Sequence, residues 1–121
     1  MRYLFDTNWI IDVTQNEPEA KRFFESLAPG DAAVSIITYM EAYQGVVREG
    51  ETAAARAVFD AIFDGMTLLP LSVAVAERCA RVRHDLSRQG RRVNSRALDL
   101  IIAATAMEYG VVGQFELSRL C

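Results

Sequence analysis

The sequence predicts an α/β protein, a three-layer α/β/α sandwich on a short parallel sheet of four to five strands. Three observations carry this. Short apolar runs alternate with stretches whose apolar residues recur at three- and four-residue spacing. Turn signals fall at even intervals, at Pro29-Gly30, Gly50, Gly65, Gly90 and Gly110. Strands that alternate with helices form parallel sheets, and such sheets are covered on both faces. The 121 residues suit one domain, taken as 1–121, with a core that needs no disulfide staples.

Tyr3-Leu4-Phe5, bounded by Asp6, reads as a buried first strand, and residues 9–13 as a short helix. Residues 17–27 carry Phe23, Phe24 and Leu27 at helical spacing with charges between. Residues 32–35 form the second strand. A helix over 38–48 has Tyr39, Tyr43 and Val46-Val47 on one side, and Thr38-x-x-Glu41 is a capping box at its start. Tyr39 and Tyr43 suit either core packing or a dimer contact. Residues 51–63 repeat Ala54, Val58, Ala61 and Ile62 at helical periods, and 66–71 read as a third strand. Ser72 caps a helix over 73–87; Asn94 or Ser95 caps another over 96–109, which stops at Gly110. Val111-Val112 is a fourth strand.

Charge is unevenly placed. The net value is −3, which argues against a uniformly basic nucleic-acid coat. Yet segment 78–96 holds seven arginines against Asp85 alone, a local +6, and leaves −9 on the rest of the chain. Lys21 is the only lysine. Arginine suits bidentate phosphate contacts and base stacking, so the segment is either a solvated helix face or a place where a polyanion is steered in. Cys79 and Cys121 are too few for a disulfide framework, and with His84 the only histidine a Cys/His zinc cluster is excluded. Asp6 comes too early for the apolar core of a signal peptide, and no apolar run approaches the length of a membrane span. A cytoplasmic protein without membrane attachment is expected.

In parallel sheets ligands bind beyond the carboxyl ends of the strands, which directs attention to the acids there. Asp6 follows the first strand and could simply cap a helix. Glu41 lies one turn past the second strand, with the capping box as its structural explanation. Asp99 has no such explanation. Its helical neighbours are Ile102, Ala103 and Ala106, and the helix is apolar on every face until Glu108, so it is expected to be buried nearly all round. A lone buried carboxylate needs an arginine such as Arg96 or a metal. Three converging carboxylates repel one another unless divalent cations sit between them, and oxygen-only ligands select Mg²⁺ or Mn²⁺.

The pattern resembles PIN-domain ribonucleases, most closely the VapC-type toxins of type II toxin–antitoxin systems. The resemblance covers nearly the whole chain. Its anchors are Leu4-Phe5-Asp6-Thr7-Asn8, then Val34-Ser35-Ile36-Ile37-Thr38-x-x-Glu41 with Gly45, then Asp99-Leu100-Ile101-Ile102-Ala103-Ala104-Thr105-Ala106 with Gly110. It implies a PIN-like parallel sandwich and a Mg²⁺- or Mn²⁺-dependent endoribonuclease that commonly dimerises and is neutralised by a cognate antitoxin. Transfer or ribosomal RNA is the implied substrate. Carried over, Asp6, Glu41 and Asp99 are the catalytic metal ligands, with Thr7 and Asn8 in support; Ser35 and Thr38 fit the second motif, with helix capping as their role. Arg88, Arg91, Arg92 and Arg96 are placed to grip RNA phosphates. Exposed apolar or aromatic residues on the helices between Trp9 and Phe63 are candidates for the antitoxin surface.

The tail departs from the family pattern. The Thr-x-Asp expected after the last strand is missing, and Glu116 is the only acid after Gly110. Either Glu116 completes the metal site, or three acids suffice, or this copy is weakened. A receiver domain fails for want of a second acid after the first strand and a late lysine. A haloacid-dehalogenase-type phosphatase fails because position 8 is Asn, and dinucleotide binding fails for want of a glycine-rich turn. The alternative that survives is a degenerate, non-catalytic PIN-like protein that binds RNA or a protein partner.

Overall fold

A computed structural model describes residues 3–91 and 96–110, together with the backbone of 112–114. The elements run β1 (Tyr3–Phe5), α1 (Thr7–Thr14), α2 (Pro18–Glu25), β2 (Ala32–Ser35), α3 (Ile36–Arg48), α4 (Ala53–Phe63), β3 (Thr67–Leu69), α5 (Val73–Arg88), α6 (Ala97–Tyr109) and β4 (Val112–Gln114). The four strands form one parallel sheet in the order β3-β2-β1-β4. This is the expected α/β sandwich, at the lower of the two strand numbers.

Alternation along β1 makes the layers. Successive strand side chains point to opposite faces. Leu4 enters a cluster with Ala33, Ile37, Leu69, Ile102 and Ala106, so α6 and the start of α3 cover that face. Phe5 enters another with Ile10, Val13, Ala20 and Ile62, which brings α1, α2 and α4 to the other face. Both side chains are fully buried, and each such burial stabilises by roughly 1.5–3 kcal/mol. Trp9, Phe23 and Phe24 pack their rings on Phe5.

Side-chain caps set the helix starts. Asp6, Ser35, Thr52 and Ser72 each accept from a backbone N–H three residues on. Ser35 therefore corrects the expected capping box: α3 begins at Ile36, two residues before Thr38, and Glu41 has no capping role. The last turn of α6 closes on Gly110 at φ 66°, a left-handed conformation that favours glycine. Tyr39 and Tyr43 stack at 6.4 Å and set their edges against Phe59, which is the core-packing alternative. Tyr43 donates to Glu51 Oε2 at 2.7 Å, and that carboxylate holds the phenol above its usual range.

Outside the sandwich, α5 packs on α6 through Val75, Cys79, Leu100 and Ala104. Arg78, early in α5, pairs at 2.7 Å with Glu108, late in α6, so the two helices run antiparallel. No helix among the described residues is long and apolar enough to cross a membrane.

Candidate metal-dependent nuclease site

The strand order reverses at β1. Its neighbour on one side is β2, while β4 returns on the other, and in open parallel sheets the crevice beyond the carboxyl ends at such a reversal is where ligands bind. The residue that leaves β1 there is Asp6, only 9% exposed. Its Oδ1 accepts the Trp9 N–H at 3.0 Å, so the helix-cap role is real.

Glu41 approaches from the neighbouring strand. Phe5 pairs with Val34, so Asp6 and Ser35 leave their strands side by side, and Glu41 lies two turns along the helix that Ser35 starts. Thr7 Oγ1 donates to Glu41 Oε1 at 2.5 Å. Asp6 is covalently next to Thr7, so this bond ties Glu41 to the residue that follows the first acid. Thr7 thus supports the site by a definite contact. Asn8 is exposed on α1.

Asp99 is the third residue of α6 and is exposed, which corrects the expectation of burial. The helix is not covered all round: Leu98 and Met107 are also exposed, because α5 and the sheet cover only part of its circumference. Helical spacing still places Asp99 one turn before Ile102 and two before Ala106, the residues that pack on Leu4 and Ala33. Because β4 starts level with Tyr3, α6 ends at the amino edge of the sheet and its first turn lies toward the carboxyl edge. Asp99 continues the packed stripe toward the edge that Asp6 occupies.

Among the described residues no three His, Cys, Asp or Glu side chains stand close enough together to hold a metal ion. Glu41 is bonded to the residue after Asp6 and Asp99 lies toward the same edge, but the three do not close into one cluster. Glu116 and Arg92 lie outside the described residues, as do the cap candidates Asn94 and Ser95. Arg96 occupies the N-cap position of α6 without a side-chain cap bond. Two observations fit a hard divalent cation. The donors at this edge are all oxygens. In addition, the Thr38 hydroxyl, on the same face of α3 as Glu41, is fully buried with no hydrogen-bond partner among the described residues. Neither that hydroxyl nor the Thr7–Glu41 bond was apparent from the sequence. The signal available was Ser35 three residues before Thr38, the first of the two capping residues the sequence offers.

The arginines divide. Arg78 is engaged by Glu108. Arg88, the last residue of α5, and Arg91, three residues beyond it, are exposed, and the antiparallel pairing places the end of α5 beside the first turn of α6, where Asp99 stands. On the α1–α4 side, Ile11, Met40, Val47 and Val58 are exposed apolar residues.

Residues 3–112 match a family model described as PIN domain. The chain is 28% identical over 112 residues to a protein of Shigella flexneri named tRNA(fMet)-specific endonuclease VapC, covering 93% of this chain and 83% of that one. Among solved structures, DNA-bound VapBC from Salmonella typhimurium matches with a TM-score of 0.80 at 27% identity, covering 93% of this chain and 86% of that one. VapBC2 from Rickettsia felis, bound to a promoter DNA fragment, also gives 0.80, covering 93% and 85%; at 20% identity it speaks for the fold alone.

Proposed function

The chain belongs to the PIN domain family, and we propose that it is a VapC-type toxin: a metal-dependent endoribonuclease, one domain over 1–121, neutralised by a cognate antitoxin. The observation that carries this is the placement of Asp6 at the strand-order reversal, with Glu41 hydrogen-bonded to the adjacent Thr7.

In this reading Asp6, Glu41 and Asp99 hold Mg²⁺ or Mn²⁺, with Glu116 as the fourth oxygen donor. When bound, such an ion activates water and stabilises charge on a phosphoryl group. The chain's own residues do the rest. Thr7 fixes the rotamer of Glu41, the Trp9 N–H fixes that of Asp6, and Asn8 offers a polar side chain at the rim. Arg88, Arg91, Arg92 and Arg96 hold flanking phosphates and set the register of the RNA, as phosphate contacts do. Transfer RNA is the first substrate to test, since the Shigella flexneri relative is named for one. The exposed apolar residues Ile11, Met40, Val47 and Val58 are where an antitoxin would find purchase, and the complexes of the structural neighbours support such a partner. A homodimer and a cytoplasmic location complete the reading.

The test is cleavage of transfer RNA against a Mg²⁺ or Mn²⁺ titration. Activity that needs metal and vanishes in Asp6→Ala and Asp99→Ala is expected. Metal-independent RNA binding without cleavage would establish the degenerate, non-catalytic protein instead.

A further inference from the structure

Thr38 is completely buried, and its Oγ1 is the one buried side-chain polar atom among the described residues with no hydrogen-bond partner. Folded proteins rarely leave such an atom unmatched, and each instance asks for a reason. The common solution for a threonine within a helix is to donate to the carbonyl four residues back. Thr105 does this, reaching Ile101 O at 2.7 Å. Thr38 does not; the residue four before it is Val34, in β2 rather than in α3. Nor does Thr38 need its hydroxyl for capping, because Ser35 caps α3 by accepting the Thr38 N–H at 3.2 Å.

Position limits the answer. Thr38 and Glu41 are three residues apart and share a helix face. Glu41 accepts from Thr7, beside Asp6. The orphaned donor therefore sits one helical turn from Glu41, whose carboxylate is bonded to the residue after Asp6. A carboxylate site that holds a hard cation is rich in oxygen acceptors, and donors behind the ligands orient them.

We propose that Thr38 is a positioning residue of the metal site, its hydroxyl donating to an oxygen in the coordination shell of the divalent cation held by Asp6, Glu41 and Asp99. This rests on the metal-dependent reading above. It explains why the hydroxyl has no partner in the protein alone, and it gives Thr38 a role distinct from helix capping.

The test is calorimetric titration of Mn²⁺ into metal-free protein, with thermal midpoints of the metal-free forms, for the wild type, Thr38→Val and Thr38→Ser. Valine keeps the shape and removes the hydroxyl. It is expected to weaken Mn²⁺ binding about 10- to 100-fold and to leave the metal-free midpoint unchanged or higher. Serine keeps the hydroxyl and is expected to bind close to wild type. Wild-type affinity in Thr38→Val would overturn the proposal. So would a lowered metal-free midpoint or failure to fold, since the hydroxyl would then be bonded within the protein. A serine variant as weak as valine would overturn it too, because the methyl group would be what mattered. A wild type that binds no Mn²⁺ would overturn the metal-dependent reading itself, and this inference with it.

Discussion

The two sides of the carboxyl edge are held in different ways. Around the end of β1, Asp6 accepts the Trp9 N–H and Glu41 accepts the Thr7 hydroxyl, so both carboxylates are tied down by the protein. Across the edge, Asp99 stands in the first turn of α6, a helix with no side-chain cap, and is open to water. A tied carboxylate is pre-oriented and cannot be removed without local structural cost. An exposed one keeps its charge cheaply and contributes little to the fold. On the proposed reading the first pair serves structure and chemistry together, and Asp99 serves chemistry alone.

The sharpest break of this comparison is activity against stability. Asp6→Asn and Asp99→Asn should each reduce RNA cleavage by about 10³-fold or more, the loss of several kcal/mol at the transition state. Asparagine caps as well as aspartate, so in metal-free buffer the thermal midpoint of Asp6→Asn should stay equal or rise as one repelling charge is lost. A large fall would show that the Asp6 charge is needed by the fold.

Thr7→Val comes next. It leaves both acids in place but frees Glu41, and Mn²⁺ affinity should drop roughly 10- to 100-fold. Unchanged affinity would mean that the Thr7–Glu41 bond orients nothing of consequence.

Alanine separates the two sides by stability. Asp6→Ala should be about 1 kcal/mol less stable than Asp6→Asn in urea unfolding, the worth of an N-cap. Asp99→Ala and Asp99→Asn should agree within about 0.5 kcal/mol, as exposed substitutions do. Equal costs at the two positions would erase the distinction.

The smallest effect concerns the arginines. Arg91→Gln should lower the slope of log RNA affinity against log salt by about 0.7, one single-strand phosphate contact. An unaltered slope would remove Arg91 from the RNA path.

Much of this was legible in the sequence because the elements obey local rules. Tyr3-Leu4-Phe5, the Ser72 cap and the Gly110 stop announce themselves by hydropathy and backbone preference. The start of α3 was misplaced because Ser35-x-x-Thr38 and Thr38-x-x-Glu41 are overlapping capping signals, and only packing selects between them. Burial of Asp99 was misjudged for a related reason. A helix apolar on every face suggests full enclosure, yet α5 and the sheet cover only part of α6, and Leu98 and Met107 remain exposed. The Thr7–Glu41 bond spans 34 residues of sequence, and no local pattern reports such a contact.

The β1–β4 pairing has a consequence for the order in which the site comes together. Tyr3 pairs with Ala32 and also with Val112, positions 29 and 109 residues away. Closing the longer loop costs about 1 kcal/mol more in chain entropy, nearly two doublings of length. A chain emerging from the ribosome can join β1 to β2, and with them Asp6, Thr7 and Glu41, long before α6 and β4 exist. Asp99 arrives with the last closure. A growing chain would therefore carry the tied half of the proposed site and lack the open half, and on that reading cleavage would wait until α6 had been made.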